Sequence, residues 1–212
     1  GSGVGLSASS RARKIATIRS FYKYLTLKAG LLDENPMLNL DSPRTRQSLP
    51  RFLTEEECVR LLNAVSGRNR ERDYCILVLF LNCGLRISEL VGLNISDIQG
   101  ETLRVIGKGN KERIIYINAA CISAINAYRK IRDKIPSLSL DAKNALFVTR
   151  QNTRISTAAV HLMVKKTLAA AGLDASKYSS HKLRHTAATL MHQNGVDVRT
   201  IQEVLGHDHL NT

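Results

Sequence analysis

CILVLFLNCGLRISELVGL, residues 75–93, is the stretch on which the fold turns. Residues 73–81 read as a helix that is apolar nearly all round, and such a helix belongs at the centre of a core. Gly84 breaks it, and a new helix is expected over Leu85–Val91. The apolar run Cys75–Leu81 is far shorter than the roughly 20 residues a membrane span needs. Arg86 and Glu89 stand at i and i+3 in the second helix, on one face. Taken alone, they fit a solvated surface pair worth about a few tenths of a kcal/mol.

Moving toward the C-terminus, Thr102–Ile106 and Arg113–Ile117 are two short β-like runs joined by the turn-rich GKGNKE, an antiparallel hairpin. Helical patterns return at 121–134, at 157–171, at 181–193 and at 198–205, the last closing at Gly206. Toward the N-terminus, Thr54 with Glu57 makes a capping box ahead of Val59, Leu62 and Val65. The sum is a mainly α domain with a small antiparallel β-sheet.

Three of the four prolines, Pro36, Pro43 and Pro50, surround the polar stretch DSPRTRQS. A linker is therefore expected over 41–50, between a short helical piece at 4–40 and a larger domain at 51–212. The opening GSG, residues 1–3, reads as a tag remnant. In the N-terminal piece Ile15, Ile18, Tyr22, Leu25 and Ala29 recur at helical spacing, and Gly30 ends the helix.

Lys and Arg outnumber Asp and Glu 31 to 18, a formal charge of +13. The first 32 residues hold Arg11, Arg13, Lys14, Arg19, Lys23 and Lys28 and no acid. A helix of one sign points to the phosphates of a polyanion, and the scarcity of aromatics favours duplex backbone over stacked single strands. No secretory pattern precedes the first helix, so a soluble cytoplasmic chain is expected. The scattered Cys58, Cys75, Cys83 and Cys121 form no CxxC pair and read as reduced, mostly buried thiols.

Three more groups carry chemistry. Lys108 sits between glycines in GKGNKER, where a turn can approach a ligand closely, and Lys111 follows it. His181 and Arg184 open a helix in HKLRH, where free N–H groups and the dipole favour an anion. His181 and His185 have the spacing of a metal pair, but position 182 is Lys where the zincin motif has Glu, and no metal is expected. His207 follows the helix end in EVLGHDHL.

GLRISELVGL, VIGKGNKER, HKLRHTAATL and IQEVLGH, in this order and at these spacings, resemble the catalytic domain of the tyrosine recombinases, in particular the Xer and phage-integrase group. The likeness runs from about residue 10 to the end, with the N-terminal helix similar to the tail of the family's core-binding domain. The resemblance implies that Arg86 and Arg184 grip the scissile phosphate. Lys108 matches the hairpin lysine that protonates the leaving 5′-oxygen, with Lys111 as fallback. His181 and His207 match the two histidines that contact the phosphate, and Glu89 matches the supporting acid. Double-stranded DNA and a tetrameric synapse on it are the implied partners, and no cofactor is implied.

The residue types suit that chemistry. Attack on a phosphodiester builds negative charge on the phosphoryl oxygens, where two guanidiniums offer planar, fixed donors and can stand in for a divalent metal. A tyrosine nucleophile would store the bond as a 3′-phosphotyrosyl link, which the 5′-hydroxyl of another strand can reverse. In the family that tyrosine lies a short way beyond the second histidine, which here falls past Thr212. Tyr22, Tyr24, Tyr74, Tyr116, Tyr128 and Tyr178 all precede His207. Tyr116 and Tyr128 read as packing residues, and Tyr178, near His181, is the one tempting substitute. The expectation is a chain that stops before its nucleophile, binds DNA and does not cleave it, with weakened assembly. A type IB topoisomerase-like enzyme and a non-catalytic DNA-binding regulator are the alternatives.

Overall fold

The computed structural model describes residues 5–43 and 52–206. The chain divides into two compact units, residues 1–50 and 51–212. Residues 44–51, which include the end of the expected linker, lie outside the described residues.

The first unit is built on α1 (Ala8–Leu27). The helix begins earlier than its apolar periodicity, because the Ser7 hydroxyl accepts the Ser10 N–H at 3.1 Å and caps the first turn. No residue of α1 is fully buried, and Ile18 is 44% exposed. A single helix with its following segment has too little surface to close a core of its own. Arg11, Arg13, Lys14 and Lys23 are exposed. Arg19 turns instead to its own chain, donating to the Leu40 carbonyl and, at 3.5 Å, to the Ser42 hydroxyl.

The second unit opens with α2 (Glu55–Asn63), whose capping box is formed as expected: Thr54 Oγ1 accepts the Glu57 N–H, and Glu57 accepts the Thr54 N–H. Next comes α3 (Arg70–Cys83), with Cys75–Leu81 and Cys83 all buried. It ends on Gly84 in the left-handed region, φ 57°. The chain then reverses into α4 (Ile87–Gly92). β1 (Ile98–Gln99), β2 (Thr102–Ile106) and β3 (Glu112–Tyr116) form an antiparallel sheet in that order. Leu103 pairs with Ile115 and Val105 with Arg113, and Leu103, Val105 and Ile115 are buried. β1 was not expected: two residues are too short to show an alternation.

The rest of the unit is helical: α5 (Ala119–Arg132), α6 (Leu140–Asn144), α7 (Thr157–Ala170), α8 (Ser180–Gln193) and α9 (Val198–Leu205). α3 packs on α5 and α8, α2 and α4 lie against α7, and α9 meets α8 and β3. The mainly helical reading with a small antiparallel sheet is borne out. The turn of helix at α6 was not expected from its polar sequence. Tertiary contact holds it: buried Arg132 donates through Nη2 to the carbonyls of Ala142, Lys143 and Ala145 at 2.7–2.9 Å.

Two readings of tyrosines separate here. Tyr128 is buried and stacks on Phe147, ring centroids 5.5 Å apart. Tyr116 is 83% exposed and does not pack in the core. Strand alternation explains it, since Ile115 and Ile117 point inward and send Tyr116 out. All four cysteines are buried and free, with the Sγ atoms of Cys83 and Cys121 3.9 Å apart. Among the described residues, no helix is long and apolar enough to cross a membrane.

Candidate active site

Arg86 occupies the N-cap of α4 in an extended conformation, which aims its backbone N–H along the helix face. Glu89, one turn on, accepts that N–H at 2.8 Å through Oε2 and the Arg86 Nη1–H at 2.8 Å through Oε1. Glu89 is 4% exposed, so the pair is no solvated surface pair. Arg86 keeps 34% of its side chain open, and its Nη2 donates to the Gly206 carbonyl at 3.2 Å.

Arg184 reaches the same carboxylate from α8. Its Nη1 lies 3.8 Å from Glu89 Oε2 and donates to the Gly84 carbonyl at 2.5 Å, while Nη2 donates to the Leu205 carbonyl at 2.5 Å. A guanidinium has five N–H donors, so these two bonds leave others for a ligand. Burial is the main cause that lowers the Arg184 pKa, to about 10, and the positive charge of Arg86 adds to it, against the opposing pull of Glu89. For Glu89 burial pushes the carboxyl upward, but hydrogen bonds from Arg113 and from Arg86 outweigh it and hold the group below its ordinary value.

Arg113 completes the cluster and was missed. From β3 its Nη1 and Nη2 donate to the two Glu89 oxygens at 2.9 Å each, and its Nε donates to the Val204 carbonyl at 2.8 Å. The signal was present in the sequence. Arg113 lies two residues before Ile115 and four before Ile117, on the inward side of the strand, where a charge needs a partner.

Three guanidiniums and one carboxylate thus meet where the start of α4, β3, α8 and the end of α9 converge. Their sum is an excess of two positive charges, the electrostatics of an oxyanion site. Gly206 sits against this cluster in the left-handed region, φ 64°, and a Cβ there would fall 3.1 Å from Arg113 Nη1.

The other expected residues divide in their placement. Lys108 opens the turn between β2 and β3, in a hairpin closed by the Gly107 N–H donating to the Lys111 carbonyl at 2.8 Å; its side chain lies outside what is described. Gly109 and Asn110 take positive φ, 73° and 61°, which makes the tight turn. Lys111 is exposed just beyond it. His181 is exposed in the first turn of α8, one turn before Arg184, and His185 is exposed as well. His207 lies outside the described residues, next to Gly206. Tyr178 is half-buried and packs against the core.

A model of the phage integrase family matches residues 51–212. The chain belongs to the phage integrase family. Among its relatives, the tyrosine recombinase XerC of Caldanaerobacter subterraneus subsp. tengcongensis is 52% identical over 204 residues, 96% of this chain and 57% of that protein. The XerC of Thermodesulfovibrio yellowstonii is 38% identical over 215 residues, 98% of this chain and 70% of that protein. This phage integrase family chain thus spans between about half and three quarters of the length of these relatives. Among solved structures, XerH bound to difH substrate in a pre-cleavage complex aligns with a TM-score of 0.75 and 26% identity, over 99% of this chain and 62% of that one. XerA recombinase aligns with a TM-score of 0.68 and 30% identity, over 96% of this chain and 68% of that one.

Proposed function

We propose that the complete gene product is a site-specific DNA recombinase that cuts and rejoins strands through a 3′-phosphotyrosyl intermediate without a divalent metal. The observation that carries this is the Arg86–Arg184–Arg113 cluster around buried Glu89, an excess of positive charge held at one place by rigid elements. Arg86 and Arg184 bind the non-bridging oxygens of the scissile phosphate, where charge grows in the transition state. His181 and His207 add contacts to the same phosphate. A tyrosine phenolate attacks phosphorus; the 5′-oxygen leaves with a proton from Lys108, and the 3′-phosphate is joined to the tyrosine. A 5′-hydroxyl from another strand reverses the step, so no cofactor is consumed.

In this reading residues 4–40 are the tail of a core-binding domain, 41–50 a linker and 51–212 the catalytic domain. Arg11, Arg13, Lys14, Lys23 and Lys111 contact duplex phosphates, while Arg19 holds the segment at Leu40–Ser42. Recombination takes place in a tetramer on DNA, in the bacterial cytoplasm.

The test is covalent capture on nicked duplexes in EDTA, with the 212-residue chain beside the complete gene product. An adduct from the complete protein alone is expected. An adduct from the 212-residue chain would move the nucleophile to a tyrosine within it, Tyr178 first. Salt-sensitive binding with no adduct from either would leave a non-catalytic DNA-binding regulator.

A further inference from the structure

Arg113 has no role in the phosphate chemistry proposed above, yet it is the best-anchored arginine of the cluster. Its two terminal nitrogens hold both Glu89 oxygens at 2.9 Å, its Nε holds the Val204 carbonyl at 2.8 Å, and its side chain is 13% exposed. The guanidinium lies so close to Gly206 that a Cβ there would stand 3.2 Å from its Cζ. One side chain therefore ties the hairpin that carries Lys108 to the start of α4 and to the end of α9, directly before His207.

We infer that Arg113 is a positioning residue that serves as the dedicated counter-ion of Glu89, so that Arg86 and Arg184 keep their charge for the substrate phosphate. This rests on the recombinase reading. A buried carboxylate facing only Arg86 and Arg184 would draw both guanidiniums to itself, and the phosphate would compete with it for the same donors. With Arg113 bound in two-point fashion, the carboxylate is already neutralised. It then orients Arg86 through the backbone N–H and Nη1 without cancelling its field. The excess of two positive charges at the site is the consequence.

The experiment measures the rate of covalent adduct formation by the complete gene product at saturating nicked duplex. Wild type, Arg113→Lys, Arg113→Met and the double variant Arg113→Met/Glu89→Gln are compared, with the urea midpoint of each. Arg113→Met is expected to slow the adduct on the order of 100-fold, the scale of losing one oxyanion stabiliser, with duplex affinity little changed. Arg113→Lys, which keeps the charge but not the two-point geometry, falls between. The double variant removes the uncompensated carboxylate and regains at least roughly tenfold over Arg113→Met, although its urea midpoint stays low. A structural brace would not behave so. A double variant no faster than Arg113→Met, or an Arg113→Met rate equal to wild type, overturns the inference. A wild-type protein that forms no adduct overturns the recombinase reading itself, and the positioning role with it.

Discussion

Glu89 is buried, and it stays ionised because every approach to it is a donor: the Arg86 N–H and Nη1, and both terminal nitrogens of Arg113. Its carboxyl is therefore held below its ordinary value of 4.5, with burial opposing and the hydrogen bonds prevailing. A carboxyl whose folded pKa is depressed adds stability that is fully present above the unfolded value and is lost as pH falls through the folded one. Urea midpoints measured from pH 7 downward should thus fall once the pH drops below about 4.5, and Glu89→Gln should flatten that part of the curve. Sequence took the reading a long way at this scale. Arg86, Glu89 and Arg184, singled out by their motifs, are brought together in one cluster. Arg113 was not, since its partner lies 24 residues away and only the strand's inward side hints that it needs one.

Elements followed the sequence where their signals are local. The apolar run of α3, its stop at Gly84 and the capping box of α2 need only a few consecutive residues to read. β1 is a two-residue strand paired to β2 across a tight turn, α6 is a short piece held by Arg132, and Tyr116 was misplaced because a tyrosine on the outward side of an edge strand looks the same as one in the core. Contacts between elements were equally hidden. Thr186, in HKLRHTAATL, is fully buried and accepts the Leu53 N–H at 3.0 Å, fastening α8 to the chain just before α2. Thr186→Val keeps the shape and strands that N–H, so urea unfolding should show a loss of about 1–3 kcal/mol. Gly84 is a second junction of this kind. At φ 57° it turns α3 toward α4, and a Cβ there would stand 2.5 Å from the Leu205 side chain. Gly84→Ala should therefore destabilise the unit by more than the roughly 1 kcal/mol of a strained backbone alone, read from the same urea curves.

For the molecule as a whole, the charge of +13 should make duplex binding steeply salt-dependent. Each exposed residue that meets a phosphate adds roughly one unit to the slope of log affinity against log salt. Arg11→Ala should reduce that slope by about one unit, whereas Arg19→Ala should change it less, because Arg19 is engaged by Leu40 and Ser42. Anisotropy titrations on a labelled duplex at several salt concentrations check both. The charge total was legible in the composition; which basic residues face outward was not, because Arg132 and Arg184 are buried on carbonyl oxygens.

Whether the guanidinium cluster works on a scissile phosphate is decided by covalent capture in EDTA with the complete gene product, wild type against Arg86→Ala. Arg86 is the suitable residue because it is half-open and is not fixed by two main-chain carbonyls as Arg184 is. Adduct formation should fall by at least about 100-fold in Arg86→Ala while duplex affinity stays close to wild type. An Arg86→Ala protein that forms the adduct at the wild-type rate would mean that the cluster does not act on the scissile phosphate.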